Sequence, residues 1–138
     1  DNIISSEQHP DVADVIYAAQ VSGVEDFVRK HPLGYELPIG ERGVGLSGGQ
    51  KQSVGIARAF MQQSSVMIMD EPSNAMDQTT ESALLNNLKE ALENQTLLLI
   101  TQKYSLLDLT QRVIVMHNSK VLLDGAKEDV VKQLGGSK

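Results

Sequence analysis

Two short runs constrain the fold most. Ser65-Val66-Met67-Ile68-Met69 and Thr96-Leu97-Leu98-Leu99-Ile100 are apolar without alternation, as expected of strands covered on both faces. Between them, Asp77 can cap a helix running to about Glu93, with Leu84, Leu85, Leu88 and Leu92 along one side. Buried strands alternating with an amphipathic helix place the chain in the α/β class, with a mainly parallel sheet. At 138 residues, 41 % of them apolar, the chain can bury one core of ordinary size.

Ahead of the first run the spacing is helical. Val12, Val15, Ile16 and Ala19 follow a Pro10-Asp11 start and end at Gly23, and a shorter helix holds Val24, Phe27 and Val28 before Pro32. Leu33 to Gly45 carries four glycines and one proline and reads as a structured loop. Gln50 to Gln62 is helical, with Val54, Ala57, Arg58 and Met61 along one face. The expected division is a helical subdomain, residues 1–62, followed by the later part of an α/β core, residues 63–138. Beyond Thr101-Gln102 the pattern gives a short helix over Ser105 to Leu109. A hairpin around His117-Asn118-Ser119 and a last helix near Lys127 to Leu134 complete it.

Composition removes several classes of function. The net charge of −6 opposes nucleic acid as a main partner. Without cysteine there is neither a disulfide nor a thiolate metal site. No apolar run approaches the roughly 20 residues of a membrane helix, and "DNIISSEQHP" lacks the pattern of a secretory signal. A soluble body is expected, with any link to a membrane made through a partner. His9, His31 and His117 stand apart without metal spacing and read as surface residues.

Two motifs carry chemistry. In "GLSGGQKQ", Ser47 and Gln50 fit a capping box: the hydroxyl takes a first-turn amide and the glutamine reaches back. That accounts for Ser47 and Gln50 but not for Gly48 and Gly49, which weaken a helix. Glycines at this place let an anion approach backbone N–H groups at the positive end of the helix dipole. In "VMIMDEPS", Asp70 and Glu71 end a buried strand, the edge where open α/β sheets bind ligands. A polar strand-ending turn is the plainer reading. The chemical one has Asp70 holding Mg²⁺ and Glu71 deprotonating water that attacks a phosphoryl group. Ser47 and Asp70 lie 23 positions apart, room for one helix and a return to the sheet.

"LSGGQ", "MIMDEPS" and "NAMD", in this order, resemble the nucleotide-binding domain of ABC transporters, a P-loop NTPase fold, over essentially the whole chain. The resemblance implies that the first is the signature motif, the second the Walker B strand and the third the D-loop ending at Asp77. Ser47, Gly48, Gly49, Gln50 and Asp77 are then ATP-binding positions, and Asp70 is the metal-associated acid. The signature motif of one subunit completes the ATP site of another, so a dimer is implied. "LPIGERG" (Leu37 to Gly43) resembles the exporter loop that touches the transmembrane domain. "HPLGYELPIGERGVGLSGGQKQ" points to exporters of proteins or peptides in type I secretion, at the cytoplasmic face of the bacterial inner membrane.

The chain departs from the family pattern in two ways. No G-x-x-x-x-G-K-[ST] stretch occurs in it, so this polypeptide alone is expected to be inactive and to form the C-terminal portion of a longer domain. Where the family has its switch histidine, "LLLITQKYS" places Gln102, whose amide can donate a hydrogen bond but carries no charge. Glu71 and Gln102 are thus the expected catalytic pair. The competing readings are a soluble ABC-type ATPase of DNA repair or translation, and a non-catalytic module that completes a partner's ATP site.

Overall fold

Helix caps and turn residues fix where each element begins. The computed structural model describes residues 3, 11–40 and 43–135. Asp11 caps α1 (Val12–Val21), accepting from Ala13 N at 3.2 Å. Gly23, at φ +75°, turns the chain into α2 (Val24–Val28), a left-handed step that suits glycine. A 3-10 turn, Gly34–Glu36, precedes α3 (Gly48–Met61). β1 (Val66–Asp70), α4 (Gln78–Ala91) and β2 (Thr96–Ile100) then form a strand–helix–strand crossover. β1 and β2 pair in parallel, Val66 opposite Thr96 through Asp70 opposite Ile100.

The chain divides into two compact units, residues 1–100 and 101–138. In the first, α3 packs on α1 and α2, and α1 packs on α4. Ala18, Ala19, Val24, Ile56, Ala57, Phe60, Leu84 and Leu88 make the core, and Tyr17 sets its ring edge-on against Phe60 at 6.4 Å. Asn87 of α4 donates to the carbonyls of Gln20 and Val21, satisfying the C-terminal end of α1.

Several expectations are corrected here. Val12 and Ile16 are exposed rather than buried; with Val15, Phe27, Tyr35, Leu37 and Ile39 they line an apolar cavity of about 430 Å³. Arg58 is exposed, while Ser53, Ile56 and Phe60 join Val54, Ala57 and Met61 inside. The sheet is covered on one face only. Met67 and Met69 are buried, but Val66, Ile68, Leu98 and Ile100 are 50, 64, 54 and 52 % exposed. Alternate residues of a strand point to opposite faces, and the helices of this unit cover just the methionine side.

The second unit begins at Thr101. A 3-10 helix, Tyr104–Leu109, buries Leu106. β3 (Arg112–His117) and β4 (Lys120–Ala126) form an antiparallel hairpin whose turn residues Asn118 and Ser119 have φ of 47° and 59°. This is the left-handed pair of a two-residue turn that matches strand twist. Arg112 and Asp124 make a two-pronged ion pair with both contacts at 2.8 Å. α5 (Lys127–Gly135) packs on the hairpin and buries Val130.

Candidate functional site

The start of α3 is closed on one side and open on another. Ser47 Oγ accepts from Gln50 N at 3.2 Å, and Gln50 Oε1 accepts from Ser47 N at 2.9 Å, so the capping box forms in full. The side chain of Gln50 is therefore committed to its own helix. Lys51 N donates to Ser47 O at 3.0 Å. The amides of Gly48 and Gly49 fall in the first turn, where no intrahelical acceptor exists. No acidic residue stands in that turn to neutralise them.

Close packing also explains the two glycines. A Cβ on Gly48 would sit 3.0 Å from Ala75 Cβ, and one on Gly49 would sit 3.1 Å from Ala75 O and 3.4 Å from Met76 Cγ. Sequence reasoning assigned these glycines to the approach of an anion. The structure adds a cause from within the chain: α3 begins seated on the segment 75–76.

That segment descends from the acidic end of β1. Asp70 is exposed at the last ladder position, opposite Ile100. Glu71 N donates to Ile100 O at 2.9 Å, after which the backbone turns with Glu71 at φ +43°, an uncommon conformation for a residue with a Cβ. Asn74 N donates to Glu71 O at 3.3 Å and Met76 N to Ser73 O at 3.1 Å, making two successive turns. Ser73 is fully buried and donates to Glu81 Oε2 at 2.7 Å, which anchors the bend to α4.

Asp77 ends the bend and caps α4, accepting from Thr79 N at 2.9 Å, Thr80 N at 3.0 Å and Thr80 Oγ1 at 2.8 Å. The Thr80 backbone bond, then its hydroxyl, holds the Asp77 carboxyl below its ordinary value of 3.8.

Gly48, Gly49, Glu71 and the stretch leading to Asp77 are thus brought to one place by α3 and the end of β1. Gln102 is exposed on the turn that opens the second unit. Among the described residues no group of three or more His, Asp or Glu comes together as a metal-ion site. Asp70 could hold Mg²⁺ with waters and phosphate oxygens completing the shell, the usual way this ion is bound.

Sequence reasoning passed over Gln52, whose carboxamide joins the two motifs. Nε2 donates to Glu71 O at 3.2 Å, and Oε1 accepts from Ala75 N at 3.0 Å. The one available signal was its position four residues after Gly48, hence on the same helix face. The Ser73–Glu81 bond was likewise unforeseen.

Known proteins resemble this chain in sequence and in fold. The sequence profile of the ABC transporter family matches residues 4–74, just over half of the chain. The alpha-hemolysin translocation ATP-binding protein HlyB of Escherichia coli O157:H7 is 34 % identical over 133 residues, covering 96 % of this chain and 19 % of that protein. The leukotoxin translocation ATP-binding protein LktB of Mannheimia glucosida is 33 % identical over 99 % of the chain and 19 % of its own length. ABC transporter B family member 17 of Arabidopsis thaliana is 32 % identical over 99 % and 11 %. The chain therefore spans about a fifth or less of the relatives it matches. A solved bacterial Atm1-family ABC exporter with ATP bound superposes with a TM-score of 0.84 at 29 % identity, over 98 % of this chain and 24 % of the exporter. With the profile match, the fold match and the three motifs in order, the chain belongs to the ABC transporter family.

Proposed function

We propose that this chain is the C-terminal portion of the ATP-hydrolysing domain of an ABC exporter, coupling ATP hydrolysis to transmembrane export, with type I protein secretion as the branch. One observation carries the reading: Gly48 and Gly49, at the start of α3, pack against Ala75 and Met76 on the bend that begins at Glu71. A candidate anion-binding turn and a candidate base are thereby built into one corner of the chain, the turn serving the nucleotide of a partner domain and Glu71 that of its own. Glu71 accepts the proton of the attacking water, and Ser47 to Gln50 meet the γ-phosphate held by a second nucleotide-binding domain. Mg²⁺, held by Asp70, supplies charge neutralisation on the phosphates when bound. Asp77 fixes the segment that faces the partner, and Gln102 takes the switch position with a neutral amide.

Two surfaces support the wider assembly. The sheet face of Val66, Ile68, Leu98 and Ile100 is apolar and exposed, a kind of surface that marks interaction sites; we assign it to contact with the Walker A-bearing part of the same domain. Leu37 and Ile39 belong to the loop expected to meet the transmembrane domain, and both line the apolar cavity between α1 and α2. Glu41 and Arg42 of that loop lie outside the described residues. Among the described residues no helix is long and apolar enough to cross a membrane; the transmembrane domain, of the same or a partner chain, the exported protein or peptide and the bacterial inner membrane complete the proposed assembly. The net charge of −6 disfavours the DNA-repair or translation alternative.

The test is Glu71→Gln in the exporter carrying this chain. ATP turnover should fall by about 10² to 10⁴-fold, the range a general base contributes, while ATP still binds. Turnover at the unmodified rate removes the assignment.

A further inference from the structure

A side chain that bonds two backbone groups far away in sequence acts as a cross-tie. Gln52 is half-buried on the second turn of α3, and its two bonds reach forward across 19 and 23 positions, to Glu71 O and Ala75 N. Those two groups bracket the turn in which Asn74 N donates to the same Glu71 carbonyl. One planar carboxamide therefore grips both sides of the bend. On its far side Glu71 is held by Ile100 O at 2.9 Å, so both its backbone N–H and its C=O are fixed while φ sits at +43°. A residue stays in such a conformation only where its surroundings over-determine it.

The chemistry selects an amide. The site needs one donor and one acceptor a few ångström apart in one plane, which a glutamine side chain supplies. A carboxylate lacks the donor and an ammonium lacks the acceptor. Asparagine has both but is one methylene short.

The same helix end carries Gly48 and Gly49 against Ala75. Start of α3 and bend are thus joined twice, by close packing at Ala75 and by the Gln52 carboxamide.

We propose that Gln52 is a positioning residue: it ties the backbone of Glu71 to the second turn of α3, one turn on from Gly48, so that the aim of the Glu71 carboxylate depends on where the start of that helix sits. This rests on the reading of Glu71 as general base and deepens it. The carboxamide acts only through Glu71 and touches neither water nor phosphate in its role.

The experiment compares Gln52→Met, Gln52→Glu and Gln52→Asn with Glu71→Gln in the exporter that carries this chain. Misplacing a reacting group costs rate more than affinity, so each Gln52 variant should lower kcat about tenfold or more while KM for ATP stays within about twofold. Amide exchange over residues 71–76 should quicken about fivefold to tenfold as the cross-tie is lost, with that of α4 unchanged. If Gln52→Met does not fold, Gln52→Asn decides, since it keeps the polarity and loses the reach. An inactive Glu71→Gln beside Gln52 variants of unmodified kcat leaves Glu71 as the base and overturns the role of Gln52. Unmodified turnover by Glu71→Gln overturns both.

Discussion

The two long helices of the first unit begin in opposite ways. α4 starts under a charged cap: Asp77 takes three hydrogen bonds from Thr79 and Thr80, and Glu81 adds a second carboxylate in the first turn. Its positive end is neutralised from within the chain. α3 starts under a neutral hydroxyl, Ser47, has no acid in its first turn, and spends two positions on glycine. Both helices have a side-chain cap, but α3 leaves the amides of Gly48 and Gly49 with no acid in their turn. The contrast separates a helix start that serves stability from one that, in the function proposed above, also meets a phosphate.

Giving α3 the start of α4 should produce the largest effect. Ser47→Asp preserves a good cap, since aspartate and serine serve about equally there, but sets a carboxylate beside the amides of Gly48 and Gly49. ATP turnover of the exporter should fall about tenfold or more, with its melting temperature held. A steady-state ATPase assay with a thermal melt decides the matter: unchanged turnover would erase the difference between the two helix starts.

Next in size is a pair of substitutions within α3. Gly49→Ala pushes a Cβ to 3.1 Å from Ala75 O, and the overpacking should cost about 1–3 kcal/mol in spite of alanine's better helix propensity. Gly55 is exposed with nothing within 4 Å of its Cβ direction. Gly55→Ala should instead stabilise by about 0.5–1 kcal/mol. Denaturant unfolding of both variants measures this, and a stabilising Gly49→Ala would show that the seat on Ala75 tolerates a methyl group.

The smallest effect is a dependence on pH confined to one helix start. The bonds from Thr80 lower the folded-state pKa of Asp77 below 3.8. The associated stability is therefore complete above the ordinary carboxylate value and disappears as pH falls through the lowered one. The cap is exposed, so the effect is modest. NMR shifts of the Thr79 and Thr80 amides should titrate in this acid range and cease to do so in Asp77→Asn. The Gln50 amide, bonded to a hydroxyl, should stay flat through it.

Much of the architecture was legible in the chain because its causes are local. The caps Asp11, Ser47 and Asp77, the break at Gly23 and the hairpin turn each rest on residues a few positions apart. The apolar runs gave both strands and their parallel pairing, since a helix lies between them. They misled on burial: an apolar run states that both faces of a strand can be covered, not that this stretch of chain covers them. Val66 and Ile68 carry that distinction. The helical period of α1 was right about the helix and only partly about the side turned inward: of its stripe Ala19 is buried while Val12 and Ile16 are exposed, and Ala18 and Val21 join Ala19 inside. Small residues permit closer helix approach than any hydropathy pattern reveals.

What the residues determined by themselves is the set of elements, their ends and the two motifs, since spacing, capping and turn chemistry act within about one turn of chain. Only the tertiary structure decided that Gly48 and Gly49 rest on Ala75 and that Gln52 reaches Glu71 and Ala75. Those contacts join positions 19 to 27 residues apart. A hydrogen bond of a few ångström has no trace in sequence until packing has set the distance.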